Sequence, residues 1–393
     1  LIKKIREKYN SEFTNGKYDS FVKGLKKEAG YNIEFRIGET PVFLPAEFKH
    51  EILNASEKIL EYLHSESFRK SSQNAIPPGM TVPGENNFPQ LLALDFALCK
   101  EKNDKLIPQL IELQGFPSLY FYQVLLDRKF REYFNIPSGF TNYFNGLDEK
   151  RYIELLREVI VGGENPDNVI LLEIEPENQK TKVDFIMTER LTGVKPVCIT
   201  DIIKDGKNLY YIIDSRKIQI KRIYNRVIFD ELQRRNDLKL NFSFQDELDV
   251  KWIPHPNWFF KISKHTLPSL KNKYVPDTYF LDELKDYPVD LENYVLKPLF
   301  SFAGAGVKYE VGKNDLDEIK DKSNYILQKK IQYAEIIETP DVPAKAELRL
   351  LFAYKDGKPL LVNNLVRLSK GKMMGVDYNK EKTWVGSSIA YFE

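Results

Sequence analysis

The sequence predicts a mixed α/β protein of the α+β type, with two sheet-containing lobes around a cleft and a small α/β domain. Three observations predict it. Two strand-like runs, LLALDFALCKE and LIPQLIELQGF, flank the polar turn KNDK and read as a hairpin. From residue 168 strand-like and helix-like runs alternate, as in a small α/β unit. From 293 to the end the chain reads as successive antiparallel strands.

Residues 1–70 read as mostly helical. In AEFKHEILNASEKILEYLHS, Phe48, Ile52, Leu53, Ile59, Leu60 and Leu63 recur at helical spacing. Before it, YNIEFRIGETPVFLP reads as a strand and a turn. Residues 71–90 are rich in Pro, Gly and Asn and read as loop. After the hairpin, SLYFYQVLLDRKFREYF and DEKRYIELLREVIVG read as helices. In the alternating stretch NVILLEIEP is a buried strand, KTKVDFIMTERLTG a helix ended by Gly193, and KPVCITDI a second strand. NLYYIIDSRKIQIKRIYNR reads as a hairpin-like pair. Residues 265–292 read as helix and loop. The strands that follow are YVLKPLF, GVKYEV, YILQKKI and the long run AELRLLFAYKDGKPLLVNNLVRLS. Three domains result: 1–165, helical with the hairpin; 166–250, the small α/β unit; and 251–393, the closing lobes.

Composition excludes several classes. The 393 residues are 42% hydrophobic and 29% charged, with a net charge of +1. So even a balance argues against a dedicated nucleic-acid or anionic-membrane binder. No apolar run approaches a membrane span, and no signal-peptide pattern opens the sequence. Cys99 and Cys198 sit in apolar contexts and read as free buried thiols, which fits a reducing cytoplasm. His50, His64, His255 and His265 show no metal-ligand spacing.

The segment YVLKPLFSFAGAGVKYEV carries the first chemical signal. Lys297 ends a strand, and a small-residue stretch follows with Ser301, Ala303, Gly304 and Gly306. Backbone N–H groups of such a turn approach phosphate oxygens closely, and the ammonium supplies charge. An ordinary glycine hairpin reads the same way, and no G-K-[ST] opens a helix. Downstream, Gln328, Lys329, Lys330 and Ile331 are placed to line an adenine ring. A triphosphate also needs a divalent metal. The late segment offers no acidic pair, since Glu347 is followed by Arg349 and Asn363-Asn364 lack an acid two before. The early hairpin does offer one. Asp95 lies on its first strand, and Glu112 and Gln114 lie two apart on its second, so all three can share a sheet face. Three hard oxygens suit Mg²⁺.

The order Lys264, strand-Lys297-Pro298, glycine loop and strand-Gln328-Lys329 resembles the ATP-grasp ligases. With the metal hairpin first, it resembles their circularly permuted type, the synthetase domain of glutathionylspermidine synthetases. Their D-F-A-L…E-x-N hairpin is similar to Asp95–Leu98 and Glu112–Gln114, with Gln for Asn. The resemblance implies ATP and Mg²⁺ as cofactors, Lys264 and Lys297 on the phosphates, and loop 301–306 closing over them. The family's Arg two before the Asp falls at Ala93, so Arg349 and Arg367 stand in for it at the transferring phosphoryl group. Ser118 partly mirrors the family's serines. In IKRIYNRVIFDEL, Arg222, Arg226 and Glu231 are the substrate candidates, with an arginine clamping a carboxylate.

The expected activity is an ATP-dependent carboxylate–amine ligase working through an acyl phosphate. Its partners would be a small-molecule carboxylate and an amine, with an amino acid or peptide implied by resemblance alone. Lys297, Arg349 and Arg367 are the catalytic candidates. A non-catalytic nucleotide-binding module and an ATP-dependent small-molecule kinase remain open alternatives. The sequence carries no signature of oligomeric state.

Overall fold

The early hairpin and the last long strands build one sheet. In a computed structural model that describes residues 2–301 and 305–393, Leu91–Lys100 and Leu106–Gln114 form the expected hairpin. Leu91–Lys100 also pairs antiparallel with Lys345–Lys355, which pairs with Lys358–Ser369, and Gly386–Ser388 closes the order. Its strand alternation sorts side chains by face. Leu92, Leu94, Phe96, Leu348 and Leu350 pack in one core with Phe48, Ile52, Ala55 and Ile59 of the helix Ala46–Leu63. Full burial of each large apolar side chain contributes about 1.5–3 kcal/mol.

The opposite face collects charge. Glu112, Asp95 and Arg349 sit across from one another on three adjacent strands, and Glu347 sits across from Arg367. Directly opposed residues share a face. The pairing slips at this point, because Asp95 opposes Glu112 while Phe96 opposes Leu110. Ile111 is thus the extra residue of a bulge, which frees its carbonyl from the ladder.

A second, three-stranded sheet orders Thr278–Phe280, Tyr325–Lys329 and Tyr294–Pro298, all antiparallel. Its own small core includes Leu281, Leu296, Leu316 and Leu327. The third unit is a parallel sheet in the order Lys251–Ile253, Arg222–Asn225, Val169–Glu173 and Lys195–Cys198. The helix Lys182–Thr192 connects two of its strands and ends at Gly193, whose φ of 82° suits glycine.

Several expectations change. GVKYEV makes a single bridge, Leu296 to Lys308, and is no strand. Arg222–Asn225 leaves the hairpin pattern to join the parallel sheet, and Lys251–Ile253 joins it from beyond the expected boundary at 250. Val42–Leu44 pairs in parallel with Ala390–Phe392, tying the two ends of the chain together. Cys99 is buried, but Cys198 is half-buried with its thiol 3.0 Å from the Thr200 hydroxyl. No described helix is long and apolar enough to cross a membrane.

Candidate functional site

The charged sheet face forms the floor of a cavity of about 500 Å³. Glu112, Gln114, Ser118, Lys264, Ser301, Arg349 and Arg367 all line it. Asp95 lies beneath them with no exposure. Arg349 grips Asp95 with two parallel hydrogen bonds, Nε to Oδ1 at 2.7 Å and Nη2 to Oδ2 at 2.6 Å. Such a fork is the strongest arginine–carboxylate geometry. Arg367 lies 3.5 Å from Asp95 Oδ2 and donates to Glu347, which also accepts the Tyr333 hydroxyl at 3.2 Å. The amide of Gln114 donates to both Asp95 Oδ2 at 3.1 Å and Glu112 Oε1 at 2.8 Å.

The second lobe brings two lysines to the same floor. Lys297 Nζ donates to Gln328 Oε1 at 2.5 Å and lies 3.4 Å from the carbonyl of Ile111, the bulge residue. Lys264 Nζ donates to the Ser301 carbonyl at 2.8 Å. Both lysines are buried. Burial pushes Lys297 down to about 8, while Glu112 pulls it back up. Burial likewise lowers Lys264, opposed by Glu112 and Asp230. Glu112 shows the other side of this balance. Burial resists its charge, but Lys264, Arg367, Arg349 and Lys297 outweigh burial and hold it at about 2. Burial pushes Asp95 up to about 6 against the pull of Arg349. Lys264, Lys297, Arg349 and Arg367 therefore face Asp95, Glu112 and Glu347, with Asp230 also acting on Lys264.

The sequence candidates divide. Asp95 was expected as a metal ligand, but both its oxygens are taken by Arg349 and it does not reach the cavity. Arg222 was expected at substrate. Instead it donates to the carbonyls of Ile160 at 2.9 Å and Val159 at 2.7 Å, at the end of the helix Glu149–Ile160. There it satisfies orphan carbonyls and favours the negative helix end. Arg226 is buried and donates to the carbonyl of Pro117 at 2.6 Å. Among the described residues its Nε finds no partner, and it does not line the cavity. Glu231 accepts from Gln179 at 3.4 Å and stands outside the lining too. Of the four substrate candidates only Ser118 reaches the cavity. The adenine candidates Lys329, Lys330 and Ile331 line a separate cavity of about 290 Å³, while Gln328 is buried behind Lys297. Gly306 has φ 71°, and a Cβ there would meet Pro298 at 2.9 Å. Ala303 and Gly304 lie outside the described residues.

Sequence reasoning missed three contributors. Glu347 read as a failed metal motif and is the partner of Arg367. Met374, Asn379 and Val385 bring the C-terminal segment to the cavity. Asn379 shapes that segment: its Oδ1 accepts from the Ser369 hydroxyl and the N–H groups of Lys370 and Gly371. The rings of Phe116, Phe259 and Phe300 also line the cavity.

No family model matches this sequence, and no curated protein matches it. Among solved structures, a glutathione synthetase-like effector from Globodera pallida, in its apo form, is similar with a TM-score of 0.58. The match covers 97% of this chain and 98% of that chain at 13% identity. At that identity the likeness shows the fold alone, a glutathione synthetase-like architecture.

Proposed function

We propose that this chain binds a nucleoside triphosphate and uses it to join a carboxylate to an amine. The observation that carries this reading is the convergence of Lys264, Lys297, Arg349 and Arg367 on Glu112 from separate segments. Phosphoryl transfer spreads negative charge over the moving group, and fixed cations in a sheltered site are what that step needs. A carboxylate oxygen of the acid attacks the γ-phosphorus as the bond to the β-bridging oxygen breaks, and the nucleoside diphosphate leaves. The amine nitrogen then attacks the acyl carbon. The C–N bond forms, the C–O bond to phosphate breaks, and phosphate and a proton depart. Lys264 holds the Ser301 carbonyl beside the cationic floor, and a sheltered site protects an acyl phosphate from water.

The residues fit a magnesium ion only beside a bound triphosphate. Among the described residues no group of three or more His, Cys, Asp or Glu is placed to hold a metal. Glu112 and Gln114 both line the cavity, and their hydrogen bonds use Glu112 Oε1 and Gln114 Nε2. Glu112 Oε2 and Gln114 Oε1 are the oxygens that would hold it. Magnesium keeps waters and takes phosphate oxygens for the rest of its shell. When bound it neutralises phosphate charge.

A second reading, nucleotide binding without ligation, is favoured by the closed Asp95–Arg349 pair. Release of the diphosphate that requires both an added acid and an added amine separates the two. Lys297→Met keeps the volume and removes the charge. Turnover should fall at least ~100-fold with a cooperative unfolding transition retained. Near-normal turnover would end the ligase assignment.

A further inference from the structure

We infer that the acid taken by the main cavity carries a large apolar body, as in a medium-chain or aryl-alkyl carboxylic acid. The inference rests on the ligase reading for the fate of the acid, while its binding stands on the cavity alone. The cavity lining mixes two chemistries. Lys264, Arg349 and Arg367 supply one, beside Glu112. Arg349 and Arg367 are engaged by Asp95 and Glu347, whereas Lys264, among the described residues, donates to oxygens of Ser301 and is drawn by the Glu112 carboxylate. Three cations so gathered suit an incoming carboxylate.

Most of the lining surface is apolar, although Glu34, Arg36, Thr181 and Glu381 also reach it. Phe116, Phe259 and Phe300 face it together with Leu365, Leu368 and Val385. The rings are fixed. Phe116 meets Phe259 edge-on with centroids 6.0 Å apart, and Phe260 meets Phe259 at 5.1 Å and Phe300 at 5.2 Å, both edge-on. A wall locked in this way is formed before the ligand arrives, so little ordering is needed on binding. Its volume of about 500 Å³ is in the range of small-molecule sites. Polar groups laid against these rings would lose their hydrogen bonds to water. An apolar chain would release water from them.

The test is calorimetry on the full chain with butyrate, hexanoate, octanoate, 3-phenylpropionate, glutarate and glutamate. Each acid is titrated with and without a non-hydrolysable Mg·ATP analogue. Affinity should rise about fourfold per added methylene, with glutarate and glutamate weaker than hexanoate. Phe259→Ala should cost octanoate at least fivefold and butyrate little, and near-ultraviolet circular dichroism checks that the variant is folded. Affinity that is flat with chain length, tighter binding of glutamate, or no acid bound in either condition overturns the inference. Octanoate binding without any binding of the nucleotide analogue supports the inference and removes the ligase reading instead.

Discussion

The cleft floor and the carboxyl edge of the parallel sheet both bury arginines and carboxylates, yet they use them differently. On the floor, Arg349 and Arg367 bind carboxylates and line the cavity. At the edge Arg226, and at the opposite edge of the same sheet Arg222, bind backbone carbonyls, and neither lines that cavity. The edge carboxylates follow suit: Asp184 accepts the N–H groups of Leu119, Phe121 and Tyr122, fixing the chain after the hairpin. An arginine spent on carbonyls is a tie between segments. An arginine that shares carboxylates at a cavity is charge held in readiness for a ligand.

The comparison is broken most severely at the floor. Arg349→Met leaves Asp95 buried without its partner, and breaking such a pair costs about 3–5 kcal/mol. Urea unfolding should show this loss, and Asp95→Leu in the same chain should recover much of it. Equal stability of Arg349→Met and the native protein would remove the floor's energetic role.

At the edge, Glu173 sharpens the contrast through pH. It is buried and bonded to the Ile174 N–H at 2.8 Å. Burial, countered by Arg226, pushes it up to about 8 from 4.5. The folded state therefore holds a proton that the unfolded chain has lost. Its contribution is full below about 4.5 and is lost as pH rises through about 8. Native stability should fall across that window, and Glu173→Gln should flatten the profile. A variant whose profile still falls as steeply assigns the slope to another group.

A smaller effect is expected from Arg226→Met. It frees the carbonyl of Pro117, and an unsatisfied buried acceptor costs about 1–3 kcal/mol. Stability should drop while nucleotide affinity holds. A matching loss of nucleotide affinity would place this arginine functionally with the floor.

What the sequence could tell followed from distance along the chain. The hairpin, the helix ended by Gly193 and the shared face of Asp95 and Glu112 were legible, because turn residues and period-two spacing are local signals. The Asp95–Arg349 pair was not, since it joins strands 254 residues apart and only the register reveals it. Arg222 and Arg226 looked like carboxylate clamps because their carbonyl partners belong to the backbone, which has no letter in the sequence. Trp258 and Phe260 are core, while Phe259 between them turns to the cavity, a difference that no local pattern marks. GVKYEV alternates like a strand but finds one bridge only.

The most direct test is calorimetric titration of Mg·ATP into the native protein and into Lys297→Met. The account predicts magnesium-dependent binding by the native protein that weakens at least ~10-fold, about 1.4 kcal/mol, when the Lys297 charge is removed. A well-folded native protein that binds no Mg·ATP, or one whose affinity is indifferent to Lys297, would contradict it.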